Sequence, residues 1–152
     1  MSLTILPGDP RDHAATALLQ ASHALMEELF EPEDNHFLSI DALCTPDIRF
    51  FIAQMNGETI ACAALVLRDG YGELKSMFVA PSARGSGAAD ALMHRLETEA
   101  KSNALPILRL ETGDILHAAH KLYERHGFTY CDPFGNYVKN KSSVFMEKHL
   151  TP

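Results

Sequence analysis

The sequence predicts an α/β domain built on a mixed central sheet of six to seven strands flanked by four helices. Three stretches carry that expectation. Residues 49–67 are two β-favouring apolar runs joined by Asn56-Gly57, the strongest short hairpin signal in the chain. Residues 73–101 pass from a strand at 74–79, through a turn bearing Gly85 and Gly87, into a helix. Its apolar residues Ala89, Leu92, Met93, Leu96 and Ala100 recur at helical spacing. Residues 107–111 form another short apolar strand, so 74–111 is a strand-helix-strand unit, expected as a right-handed crossover between parallel strands.

The elements follow in order. Residues 4–6 form a first strand, and Pro7-Gly8-Asp9-Pro10 turns into a helix with Asp9 as N-cap and Pro10 in its first position. Ala14, Leu18, Ala21, Leu25 and Leu29 mark the apolar stripe of that helix, which runs to about Phe30. Glu31-Pro32-Glu33-Asp34 breaks it, and a second helix is expected over 37–43, closed by Thr45-Pro46. The hairpin strands are 49–55 and 59–67. Residues 68–72 turn the chain into the strand opening the glycine-bearing unit, which gives three antiparallel strands in succession. After 107–111 comes a helix from about Ile115 to His126, stopped by Gly127, then strands at 128–131 and 143–148.

At 152 residues the chain fits one domain, 1–152, large enough to bury a core without staples. A net charge of −7 leaves no basic stripe to neutralise phosphates, so no nucleic-acid partner is expected. No apolar run approaches the roughly 20 residues that span a bilayer. The first residues lack a basic, signal-like character, which points to no membrane association and a cytoplasmic location. Cys44, Cys62 and Cys131 are odd in number and widely spaced, and read as reduced core thiols. The acidic run Glu27, Glu28, Glu31, Glu33 and Asp34 reads as a solvated face, or as an attractor for a cationic amine.

Glycines at the mouth of a helix let backbone N–H groups face outward, at the positive end of the helix dipole, where phosphate oxygens bind. Many such glycines only turn the chain. Here no Gly-Lys-Ser/Thr follows and the spacing is not G-x-G-x-x-G, so two familiar phosphate loops are set aside. Arg84-Gly85-Ser86-Gly87-Ala88-Ala89, with the strand Glu73–Val79 upstream, resembles the Q/R-x-x-G-x-G/A acetyl-CoA-binding motif of the GNAT superfamily of N-acetyltransferases. Ala119–Phe128 resembles that family's A-x-x-L-Y-x-x-x-G-F segment, and the element order is that of the GNAT acyl-CoA N-acyltransferase fold. Residues 110–113, 134–137 and 143–148 are similar to a small bacterial, YsnE-like subgroup.

The resemblance implies an acetyl-CoA-dependent N-acetyltransferase acting on a primary amine of a small molecule or peptide, with a homodimer as a possible assembly. A non-catalytic acyl-CoA-binding module is the alternative. It implies that Arg84, Gly85, Ser86, Gly87, Ala88 and Ala89 hold the cofactor's diphosphate, through the N–H groups of all but Ser86. It implies that Met77, Phe78 and Val79 offer backbone groups to the pantetheine arm, Phe78 N–H polarising the thioester carbonyl. Glu73 becomes the candidate general base, with Glu111 its alternative, and Tyr123 the general acid toward sulfur. The family often carries Asn where Leu116 stands, a contact that His117 or His120 would replace. His117, His120 and His126 lack matching carboxylates or thiols, so no metal is expected. Residues 27–40 and 132–142 are expected to shape the acceptor site, with Phe134 and Tyr137 lining it.

Overall fold

In the computed structural model, which describes residues 2–151, seven strands form one sheet. They are β1 (Leu3–Pro7), β2 (Ile48–Met55), β3 (Glu58–Leu67), β4 (Gly72–Val79), β5 (Ile107–Gly113), β6 (Thr129–Cys131) and β7 (Ser143–His149), in the spatial order β1-β2-β3-β4-β5-β7-β6. Three α-helices accompany them: α1 (His13–Leu29), α2 (Ala88–Ser102) and α3 (His117–Arg125). Every strand pair is antiparallel except β4–β5, the parallel pair that α2 connects. Asn56 and Gly57 turn the β2–β3 hairpin with positive φ at both positions.

The sheet is covered on both faces, which is why β2 and β3 read as continuous apolar runs rather than alternating ones. Phe51, Ala53, Ala61, Ala63 and Leu65 pack with Leu92, Met93, Leu96 and Ala100 of α2 and Leu122 and Tyr123 of α3. Their neighbours Phe50, Ile52, Cys62 and Ala64 point the other way, against Ala15, Leu18 and Leu19 of α1 and Leu43. All three cysteines are free, and burial pushes the Cys62 thiol up to about 12.

Four helices were expected and three form. Over 37–43 there is instead an extended stretch and a single 3-10 turn at Ala42–Cys44, with another at Pro32–Asp34. Ser39 Oγ accepts the N–H of Ala42, a capping-type bond that starts the turn only after residue 39. Leu38 and Ile40 pack into the α1-side core while Phe37 stacks on His23, demands that no single helical face meets. The start of α1 also differs. Asp9 accepts the N–H of Arg11 in a preceding turn, and the helix begins at His13 behind Asp12. Its buried stripe is Ala15, Leu18, Leu19 and Ser22, one position round from the expected one, and Ala14, Ala21 and Leu29 are exposed.

The feature that positions the site is a parting of the sheet. β4 pairs with β5 only at Gly72–Leu108, Glu73–Arg109 and Leu74–Leu110. Beyond Leu74 the strands separate, and Glu111, Thr112 and Gly113 remain paired with β7 alone. Ser76 sits at φ 59 where the β3–β4 register shifts between Cys62 and Ala64. That bulge bends β4 away from its parallel neighbour and opens the seam.

Candidate active site

A cavity of about 890 Å³ lies along this seam. Its walls come from β4 (Leu74–Val79), the bend 83–90, the end of β5 (Glu111–Gly113), α3, and the chain from Ser22 to Phe37. At one end the bend leads into α2. Gly85 and Gly87 hold φ of 84° and 89°, and no atom stands within 4 Å of a Cβ added at either. A left-handed backbone with open space above it is what a close anionic ligand needs. The amides of Gly85, Gly87 and Ala89 make no hydrogen bond within the described residues, whereas Arg84 N–H reaches Pro81 O at 3.5 Å and Ala88 N–H reaches Ser86 Oγ at 3.3 Å. Three of the five expected N–H groups are therefore open. The other two are held by long, weak bonds.

Met77, Phe78 and Val79 all border the seam. Ala80 N–H donates to Ile60 O and Phe78 is paired with Cys62. Antiparallel alternation then points Phe78 N–H at β3 and turns the amides of Met77 and Val79 to the open side. The Met77 side chain packs against the α2 core and the Phe78 ring against the α1 core.

Tyr123 and Glu111 border the same cavity. Tyr123 is 7% exposed, and burial, with the Glu111 charge second, raises its phenol to about 12. Glu111 Oε2 accepts the Ser143 hydroxyl at 2.8 Å. Its pKa is raised above the usual carboxylate range, first by burial, while the Ser143 hydrogen bond and the charge of Lys75 pull the other way.

Glu73 lies elsewhere. It is 1% exposed, does not border the cavity, and has both oxygens engaged. Arg68 Nε and Nη2 donate to Oε1 at 3.2 and 3.1 Å, and the Tyr137 hydroxyl donates to Oε2 at 2.5 Å. Lys75, a residue that does border the cavity, donates from Nζ to Tyr137 Oη at 2.5 Å and to His36 O at 2.7 Å, with Glu73 Oε2 at 3.6 Å. Phe134 and Tyr137 likewise stand behind the wall, in an aromatic group with Tyr71 and Phe145. The expectation that they line the site is corrected: neither borders the cavity, whose apolar lining includes Phe30, Phe37 and Met26.

Leu116 and His117 border the cavity at the mouth of α3. His120 does not: its Nε2 is 2.8 Å from Gly113 O, tying α3 to β5. Of the acidic run only Asp34 reaches the cavity. Sequence reasoning missed Lys75, His23, His36 and Ser76. The one available signal was a lysine inside an otherwise apolar strand, which must find polar company when the strand is covered on both faces.

A sheet parted beside a helix mouth with open amides, and a carboxyl and a phenol on the same cavity, define the class: a group-transfer enzyme for an acyl carrier. Residues 15–128 match the model of the acetyltransferase (GNAT) family. A protein of Azospirillum brasilense named IAA acetyltransferase is 38% identical over 98% of this chain and 99% of its own length. YsnE of Bacillus subtilis, named an uncharacterized N-acetyltransferase, is 38% identical over 78% of this chain and 81% of its own. A Klebsiella pneumoniae structure described as an acyl-CoA N-acyltransferase superposes with a TM-score of 0.83 at 33% identity, covering 98% of both chains. The fold is shared with an N-acetyltransferase of Thermoplasma acidophilum in complex with coenzyme A, at TM-score 0.77 and 17% identity over 99% of this chain and all of that one. The chain belongs to the GNAT family of acetyltransferases. Acetyl-CoA is the donor these enzymes use.

Proposed function

We propose that this protein moves an acetyl group directly from the acetyl-CoA thioester to a primary amine of a small molecule or peptide. One observation carries the reading. The open amides of the bend, the parted edge of β4, Glu111 and Tyr123 all border one continuous cavity. Gly85, Gly87 and Ala89 would hold the diphosphate, and the amides of Met77 and Val79 would hold the arm and polarise its carbonyl. Holding donor and amine together removes most of the entropic cost of their meeting.

Acetyl-CoA supplies an activated carbonyl and a thiolate leaving group. Glu111 takes the proton that an ammonium must lose before its nitrogen can attack; a carboxyl with a raised pKa is closer to that task than an ordinary one. The new C–N bond forms as C–S breaks. The nitrogen's second proton passes to the departing sulfur to give the free thiol, and the Tyr123 hydroxyl hydrogen-bonds that sulfur and relays the proton. A phenol raised to about 12 remains a donor throughout the neutral range. Glu73, behind the wall, anchors Tyr137 and through it Lys75. A thiol-release assay over a panel of amines tests the reading: saturable release that depends on the amine supports it. Acetyl-CoA binding without release for any amine would leave only a binding module.

A further inference from the structure

Among the described residues, the buried side-chain nitrogen and oxygen atoms without a hydrogen-bond partner are His23 Nε2, His36 Nε2 and Ser76 Oγ. All three residues border the same cavity. Leaving such atoms unpaired is costly, and their gathering in one place indicates a ligand that pairs them. Lys75 borders that cavity too. Its ammonium donates to His36 O and Tyr137 Oη and pairs with Glu73 Oε2 at 3.6 Å. Glu111 is close enough for its charge to act on Lys75, so this wall carries a cation beside an anion. The same cavity has apolar lining in Leu25, Met26, Phe30 and Phe37, the last stacked on His23 at 4.2 Å.

We infer that the acceptor is a free α-amino acid with an apolar side chain, its carboxylate held by Lys75 Nζ, Ser76 Oγ and His36 Nε2 and its amine beside Glu111. The inference rests on the acetyl-transfer reading and names its substrate class. A zwitterion matches a wall that is itself bipolar. A simple amine would leave the orphan Ser76 hydroxyl and His36 Nε2 unpaired. A peptide N-terminus carries an amide where the carboxylate is needed. The exposed glutamates of the acidic run do not border the cavity, which removes the reason to favour a polycation. His23, whose pKa burial lowers, presents a neutral ring to the side chain along with Phe37.

The test has two readouts on the same protein. Phenylalanine, phenylalaninamide and phenethylamine, with the matching leucine set, are titrated calorimetrically into CoA-saturated protein and assayed for thiol release with acetyl-CoA. A carboxylate accepting charge-assisted bonds should give the free acids an advantage of about 10- to 100-fold in binding over the amides and decarboxylated amines. Lys75→Met should erase that margin and Ser76→Ala should narrow it, with circular dichroism confirming that both variants fold. Equal binding of acid and amine, or a margin that survives both substitutions, overturns the inference. Turnover without any carboxylate preference also overturns it and leaves acetyl transfer standing. Preferential binding of the acids without thiol release supports the carboxylate site and counts against transfer.

Discussion

Glu73, fully buried, and Glu111, partly buried, are two carboxylates with opposite situations. Both oxygens of Glu73 are engaged by Arg68 and Tyr137. Glu111 receives a hydroxyl from Ser143 and borders the cavity. A base must be free to gain a proton, which favours Glu111 over Glu73 in the proposed transfer. Glu111→Gln should lower kcat/KM by about 10²- to 10⁴-fold. In the wild type the acid limb of kcat/KM should lie above the ordinary carboxylate range, because burial raises Glu111, and Glu111→Gln should remove it. The same shift has a stability sign. A carboxyl whose pKa rises on folding favours the folded state while protonated, and that advantage is lost as pH climbs from the unfolded value through the raised one. Glu111→Gln should therefore raise the melting temperature relative to wild type at pH 8 and not at pH 4. Tyr123→Phe should reduce kcat far more than acetyl-CoA affinity, since the hydroxyl is needed only as sulfur departs. Equal losses in both would mean that the hydroxyl binds the donor. The cavity-facing Glu111 and Tyr123 were legible because one closes an apolar strand and the other sits in a family-like segment. The engagement of Glu73 was not, because Arg68, Tyr137 and Lys75 reach it from separate turns and strands.

The strands were legible nearly to the residue, since a sheet covered on both faces writes itself as unbroken apolar runs bounded by turns. α2 was equally plain, and its buried face matched at Leu92, Met93, Leu96 and Ala100, with Ala88 in place of Ala89. Leu92 is fully buried against the sheet, and Leu92→Ala should cost about 2–5 kcal/mol in denaturant unfolding. α1 was harder. Its apolar residues serve two clients, the sheet through Leu18 and Leu19 and the cavity through Leu25 and Met26, so no single stripe describes it. Phe30 directly follows α1, and its ring lies over Gly113: a Cβ there would come within 2.1 Å of it. Gly113→Ala should displace Phe30 from the cavity wall, destabilise by about 1–3 kcal/mol, and raise the acceptor KM more than it lowers kcat. An unchanged KM would show that Phe30 does not shape the acceptor end.

At the scale of the whole molecule, the arrangement follows from one topological fact. The only parallel pair of the sheet is held by three residue pairs and then released. Each parted strand keeps an antiparallel neighbour on its other side, β3 for β4 and β7 for β5. No helix among the described residues is long and apolar enough to cross a membrane. The strand-helix-strand unit announced the parallel pair in the sequence. Its release did not show there, because it depends on Ser76 adopting a left-handed conformation in the middle of β4. Everything proposed for the chemistry needs the seam and the glycine bend to receive one donor between them. Calorimetric titration of acetyl-CoA into wild type and Gly87→Asp tests this most directly. Asp tolerates positive φ better than most residues and meets no atom at that position, so the variant should keep its fold. A carboxylate placed among the open amides should then abolish acetyl-CoA binding. Undiminished affinity in a folded Gly87→Asp protein would contradict the account.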